Sequence, residues 1–165
     1  MNPLFPTRET LGVNTDLYEL TMAAAYLQAG VAERRATFEL FTRRLPANRS
    51  FLVAAGLEQA LHYVLNVTFS GETVEYLQSL PPFRNVDRRF FDYLANFRFT
   101  GDVYGMREGT ICFGQEPLLQ VSGPIIEAQI LETLLINVLN FQTAVASKAS
   151  RIVLAARGRS VVDFG

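Results

Sequence analysis

Apolar residues recur at Ile126, Ile130, Leu134, Ile136, Leu139, Phe141, Val145, Ile152 and Leu154 in a stretch, Ile125 to Ala156, that holds neither Gly nor Pro. Such a run reads as one long helix opened by Gly123-Pro124, since Pro in a first helical turn gives up an amide that would be unpaired anyway. The apolar positions leave few faces free, so the helix is expected between layers, with Asn137 to Asn140 as its weak point. Arg157-Gly158-Arg159 then supplies a terminating glycine and cations suited to the helix dipole, and Val161 to Gly165 reads as a short apolar strand. A buried strand needs neighbours on both edges and nothing in the sequence follows to supply one, which points to a domain cut short.

Upstream, the pattern alternates between helical and strand periods. Asn14 to Leu27 reads as a helix capped by Thr15 or Asp16, with capping-box spacing from Asp16 to Glu19, small residues at Ala23 to Ala25 and a stop at Gly30. Ala36 to Arg44 alternates as a half-buried strand, with Ala36, Phe38 and Leu40 on the inner face. A polar loop, Leu45 to Ser50, leads to a second strand, Phe51 to Ala55, and Gly56 to a helix through about Leu65. Ser70 starts a short helix stopped by Pro81-Pro82, and Asp87 caps another, Arg88 to Asn96, with Val86 and Phe91 spaced as a hydrophobic staple. From Phe99 to Val121 short strands punctuated by Gly101-Asp102, Glu108-Gly109 and Gln115-Glu116-Pro117 have the spacing of an antiparallel meander. The expected fold is α+β: an N-terminal mixed sheet and helix sandwich over residues 1–124, then the long helix and a first strand of an incomplete α/β barrel over 125–165.

Composition changes this picture in one respect. With 49% hydrophobic residues in 165 and a mean hydropathy of +0.15, some apolar surface is expected to meet a further subunit or a continuation of the chain. A net charge of −1 gives no electrostatic footprint for nucleic acid. Glu127, Gln129, Glu132, Asn137 and Asn140 interrupt the long helix far short of the ~20 apolar residues that a membrane span takes. Met1 to Pro6 lacks the basic leader and apolar core of a signal peptide, so a reducing cytoplasm fits the single Cys112.

Few residues suggest chemistry by spacing alone. Thr15 to Thr21 puts Asp16 and Tyr18 in a first helical turn, where the one caps and the other packs, or where a flat ring is presented to a planar ligand. Arg43, Arg44 and Arg49, at and beyond a strand end, are either solvated or hold a phosphate with their forked donors. His62 stands apart from any carboxylate pair or nucleophile and reads as structural; Cys112, between Ile111 and Phe113, reads as an inert thiol whose pKa burial would raise. Lys148 and Arg151 face solvent by default. One thiol and one histidine are too little for a closed zinc site, and no metal ligand set is assigned.

Several stretches together carry a resemblance. Thr15-Asp16-Leu17-Tyr18-Glu19-Leu20-Thr21-Met22, Phe38 to Arg44, Ala54-Ala55-Gly56-Leu57-Glu58, Glu116 to Pro124, Leu131-Glu132-Thr133 and Asn140-Phe141-Gln142-Thr143 occur in the order found in nicotinate phosphoribosyltransferases. The whole chain resembles the N-terminal part of that family, and Val161 to Gly165 looks like its first barrel strand. The resemblance implies joining of nicotinate to 5-phosphoribosyl-1-pyrophosphate to give nicotinate mononucleotide in NAD salvage, with Mg²⁺ and ATP hydrolysis coupled through a phosphorylated histidine. It implies a homodimer with shared sites. Tyr18 would stack on the nicotinate ring, Asp16 would support that corner, and Arg43 and Arg49 would meet phosphate groups of the partner's substrate. No catalytic residue is expected here, because the family's histidine and its Mg²⁺ and ATP sites lie downstream, so this chain alone is expected to be inactive. The alternative is a non-catalytic dimerisation or regulatory module derived from the same family.

Overall fold

The computed structural model describes residues 7–164; Met1 to Pro6 and Gly165 lie outside the described residues. In chain order the elements are α1 (Leu17–Gln28), β1 (Arg35–Phe41), β2 (Leu52–Val53), α2 (Leu57–Asn66), α3 (Gly71–Ser79), α4 (Arg88–Ala95), β3 (Asp102–Gly105), β4 (Ile111–Cys112), β5 (Pro117–Pro124), α5 (Ile125–Ile130) and α6 (Glu132–Ala156), with 3₁₀ turns at Arg8–Val13 and Pro81–Phe83. The α+β class holds.

Local signals act where they were expected. Ser70 Oγ accepts the Thr73 amide at the start of α3, and Asp87 accepts the Arg89 amide at the start of α4. Val86 and Phe91 join the same core cluster. Gly30, at φ +70, ends the turn after α1. Asp16 occupies the cap position of α1, but its side chain makes no capping bond. The capping box is absent because Glu19 turns inward, drawn by the hydroxyls of Thr15 and Thr133.

The expected meander is replaced by two ladders. β5 is the centre of a three-stranded antiparallel sheet in the order β1-β5-β3, with Phe38 opposite Val121 and Val103 opposite Val121 on the other side. β4 leaves that sheet to pair with β2, Leu52 opposite Cys112, because the Glu108-Gly109 turn is tied to the distant Ala54: Gly109 N–H donates to its carbonyl at 2.9 Å. Leu52, Ala54, Cys112 and Leu118 form a small core beneath that pair, separate from the main core built by the helices and the inner face of β5. Phe38 departs from the expected inner face: it is 38% exposed, on an edge strand.

The long helix is two helices. Pro124 is the last residue of β5 and caps α5 rather than lying within it. The break falls at Leu131, not at Asn137 to Asn140, because long-range hydroxyl bonds crowd the junction: Thr15 Oγ1 donates to the Ile130 carbonyl at 3.1 Å, and Thr133 Oγ1 accepts the Asp16 amide at 3.0 Å. α6 then runs unbroken and buries Leu135, Val138, Leu139, Thr143 and Ser147. Its other side, including Phe141, Val145, Val153 and Leu154, is exposed, so α6 is covered along one face and not between two layers. Arg157 itself takes the left-handed cap conformation at φ 50, with Gly158 after it, and Arg159 bonds the Ala156 carbonyl. Val161 to Phe164 forms no ladder among the described residues and is exposed, since no strand lies alongside to receive it.

Candidate functional site

An open cleft of about 670 Å³ lies between the outer end of β1 and the helices α5 and α6. A register shift at Leu40/Phe41 ends the β1 ladder, and the chain continues through Thr42 to Arg44 along the rim. Gln115 fixes that rim: in a left-handed conformation at φ 69, its amide donates to the Thr42 carbonyl and its side chain to the Arg43 carbonyl at 2.5 Å. The backbone is held while the guanidinium groups are left over. Arg43, Arg44 and Arg49 all line the cleft, and among the described residues none has an acid within ion-pair distance. The opposite wall carries Gln129, Glu132, Ile136 and Asn140. Cations without internal partners around a partly apolar hollow suit an anionic ligand.

Glu132 joins this cleft to the first turn of α1. Its Oε1 accepts the Tyr18 hydroxyl at 2.9 Å and its Oε2 accepts the Gln129 side-chain amide at 3.2 Å. The Tyr18 ring stays 46% exposed, beside the cleft and not in its lining. Desolvation raises the phenol pKa, and the bond to Glu132 and the charges of Glu132, Glu19 and Asp16 push it the same way, so the group is a donor at neutral pH. Beneath it Glu19 is fully buried, accepting the hydroxyls of Thr15 and of Thr133, the latter at 2.8 Å. Burial raises its pKa against the opposing effect of those two bonds, with repulsion from Glu132 and Asp16 adding to the rise. The Asp16 side chain is exposed; its backbone amide is what ties it to Thr133.

Residues 13–140 match the family model of the nicotinate phosphoribosyltransferase N-terminal domain. The chain belongs to the nicotinate phosphoribosyltransferase family. It is 47% identical to a nicotinate phosphoribosyltransferase of Mycobacterium tuberculosis over 92% of its own length and 32% of that protein's. With the Bacillus subtilis nicotinate phosphoribosyltransferase it shares 40% identity over 95% of its length and 31% of the other's. The crystal structure of human nicotinic acid phosphoribosyltransferase superposes with a TM-score of 0.81 at 38% identity, covering 89% of this chain and 29% of that one. The nicotinate-nucleotide pyrophosphorylase from Pyrococcus furiosus, at 24% identity and a TM-score of 0.66, shares the fold. This chain thus spans about a third of the length of the curated nicotinate phosphoribosyltransferases it matches.

Within this family member the remaining candidates stay apart from the cleft. His62 is not a core residue but an exposed one on α2, while Lys148 and Arg151 are exposed on α6. Cys112 is fully buried with its thiol toward the Leu52 carbonyl at 3.8 Å; burial, then the charge of Glu116, pushes the thiol pKa up. Glu132, Gln129 and Thr133 were not foreseen as site residues. The only signal lay in Leu131-Glu132-Thr133 recurring in the family, since polar residues such as Gln129, Glu132 and Thr133 inside a helix read as solvated surface. Glu19 was visible only as half of a capping box.

Proposed function

We propose that this chain forms the N-terminal portion of a nicotinate phosphoribosyltransferase, an ATP-coupled enzyme of NAD biosynthesis that joins nicotinate to 5-phosphoribosyl-1-pyrophosphate. The observation that carries this reading is the arginine-rimmed cleft beside the half-exposed Tyr18, in a chain 47% identical to a protein of that name. Tyr18 stacks on the pyridine ring and Asp16 supports that corner, while Arg43, and with it Arg49, holds phosphate oxygens. The reacting bond forms between the pyridine nitrogen and the anomeric carbon as pyrophosphate leaves, so positioning and cationic support of phosphate are what this segment contributes. Among the described residues no three His, Cys, Asp or Glu side chains converge. In this reading Mg²⁺, ATP and the catalytic groups belong to the rest of a cytoplasmic enzyme.

The exposed apolar side of α6 and the apolar run Val161 to Phe164 give that remainder a place to pack. We assign Val161 to Gly165 to the first strand of an α/β barrel, and the Tyr18 and arginine face to a site shared across a homodimer. The decisive experiment assays the complete protein carrying this segment for nicotinate mononucleotide formation from nicotinate, 5-phosphoribosyl-1-pyrophosphate and Mg-ATP, with nicotinamide as the competing acceptor. Turnover of nicotinate supports the reading. No turnover, together with binding to an active full-length subunit, favours a regulatory module instead.

A further inference from the structure

We propose that Glu132 is a positioning residue for the pyridine substrate: it holds the Tyr18 ring in its stacking orientation by accepting the phenolic hydroxyl. This rests on the reading of Tyr18 as the stacking residue.

The ring is fixed at both ends. On the backbone side, the amide of Asp16 donates to Thr133 Oγ1 at 3.0 Å, and that hydroxyl donates onward to Glu19 at 2.8 Å, so the start of α1 is pinned to the start of α6. On the far side, the phenolic oxygen meets Glu132, the first residue of α6, at 2.9 Å. Both anchors therefore belong to one helical turn, and the ring between them keeps its exposure. A ring ordered in advance spares the ligand the loss of side-chain freedom that stacking would otherwise bring. The carboxylate is oriented in turn by Gln129, whose side-chain amide occupies its second oxygen. Since Glu132 and Gln129 also line the arginine cleft, the same side chain sets the distance between ring and phosphate subsites.

A purely structural role exists for Glu132, because a carboxylate in a first helical turn is favoured by the helix dipole. The two roles separate by experiment in the complete enzyme, using nicotinate and 5-phosphoribosyl-1-pyrophosphate KM values for Tyr18→Phe, Tyr18→Ala, Glu132→Leu, Glu132→Gln and the Tyr18→Phe/Glu132→Leu double variant. Tyr18→Phe and Glu132→Leu each raise the nicotinate KM about fivefold, the double variant no further, with the other substrate's KM unmoved. Glu132→Gln restores the wild-type value, because its carbonyl still accepts from Tyr18 and the Gln129 amide can turn its oxygen toward the new NH₂. Equal thermal destabilisation by Glu132→Gln and Glu132→Leu with no nicotinate-specific change overturns the proposal. If Tyr18→Ala alone raises the KM, positioning by Glu132 is wrong and the stacking role survives. If Tyr18→Ala changes nothing, the stacking role fails and this proposal with it. Should Glu132→Leu not fold, Tyr18→Phe reads the same hydrogen bond alone.

Discussion

Thr133 Oγ1 donates a 2.8 Å hydrogen bond to Glu19, a fully buried carboxyl group that sits 114 residues away in sequence. The other Glu19 oxygen meets Thr15, whose single hydroxyl proton also has the Ile130 carbonyl within reach at 3.1 Å. Thr15 and Thr133 both donate to Glu19, and those two bonds oppose the rise in its pKa that burial brings. Burial disfavours the charged form, repulsion from Glu132 and Asp16 adds to this, and among the described residues no cation pairs with it, so the pKa is raised. The sign of the linkage follows. Folded Glu19 keeps its proton above the ordinary carboxylate range while the unfolded chain has lost it, so stability present at low pH falls as pH rises through the raised pKa. Thermal midpoints of the complete protein between about pH 4 and about pH 8 are expected to decline more steeply for wild type than for Glu19→Gln. Parallel profiles would show that Glu19 is charged in the fold.

Tyr18→Ala removes the whole ring and is expected to raise the KM for nicotinate about tenfold, the scale of one aromatic stacking contact. An unchanged constant removes Tyr18 from the site. The effect is larger than that of Tyr18→Phe, because the phenylalanine keeps the ring and loses only its anchor.

Among the described residues Arg43 has no acid partner, and its backbone is held by Gln115, so the loop is expected to survive its replacement. Arg43→Gln is expected to raise the KM for 5-phosphoribosyl-1-pyrophosphate about 10- to 100-fold, the loss of a charge-assisted contact, and to leave the thermal midpoint near wild type. Arg43→Lys recovers part of it, since a lysine keeps the charge without the fork. A constant that does not move places the phosphates elsewhere.

What could be read from the sequence was set by how far apart the interacting residues lie. Ser70 and Asp87 act on amides two or three residues onward, and the helices they start stand where their spacing put them. The pairing of Leu52 with Cys112 spans three α-helices and the strand β3, and no local pattern carries it. The break at Leu131 was hidden for the same reason: Thr15 and Asp16, far upstream, bond the junction. The arginine rim was legible because forked cations at a strand end are a local feature. Glu132 was not, because its meaning depends on Tyr18 arriving from the first helix.

Tyr63 tests the main core. It is 2% exposed, and its hydroxyl meets no hydrogen-bond partner among the described residues. Burial raises its pKa, and the Glu19 charge adds to the rise. An orphan hydroxyl costs the fold the water it gave up, so Tyr63→Phe is expected to leave the thermal midpoint unchanged or raise stability by about 1 kcal/mol. A loss of that size would reveal a partner for the hydroxyl.

Gly56 is the opposite case, a residue whose lack of a side chain the fold uses. It stands at φ +107, and a Cβ there would lie 3.1 Å from the Val138 carbonyl and 3.3 Å from a Val138 methyl on α6. Its amide donates to the Glu108 carboxylate at 2.9 Å, which also accepts the Glu58 amide, so the start of α2 is tied to the turn between β3 and β4 while Gly56 itself packs on α6. Gly56→Ala must therefore shift either the turn or α6. The backbone conformation alone disfavours it by about 1 to 3 kcal/mol, and the contact with a helical carbonyl adds to that. The expected outcome is a lowered thermal midpoint and faster amide exchange in α2 and the middle of α6, with the Tyr18 end of α6 less affected. Exchange that quickens uniformly through the chain would instead mean that α2 and α6 unfold only with the whole domain.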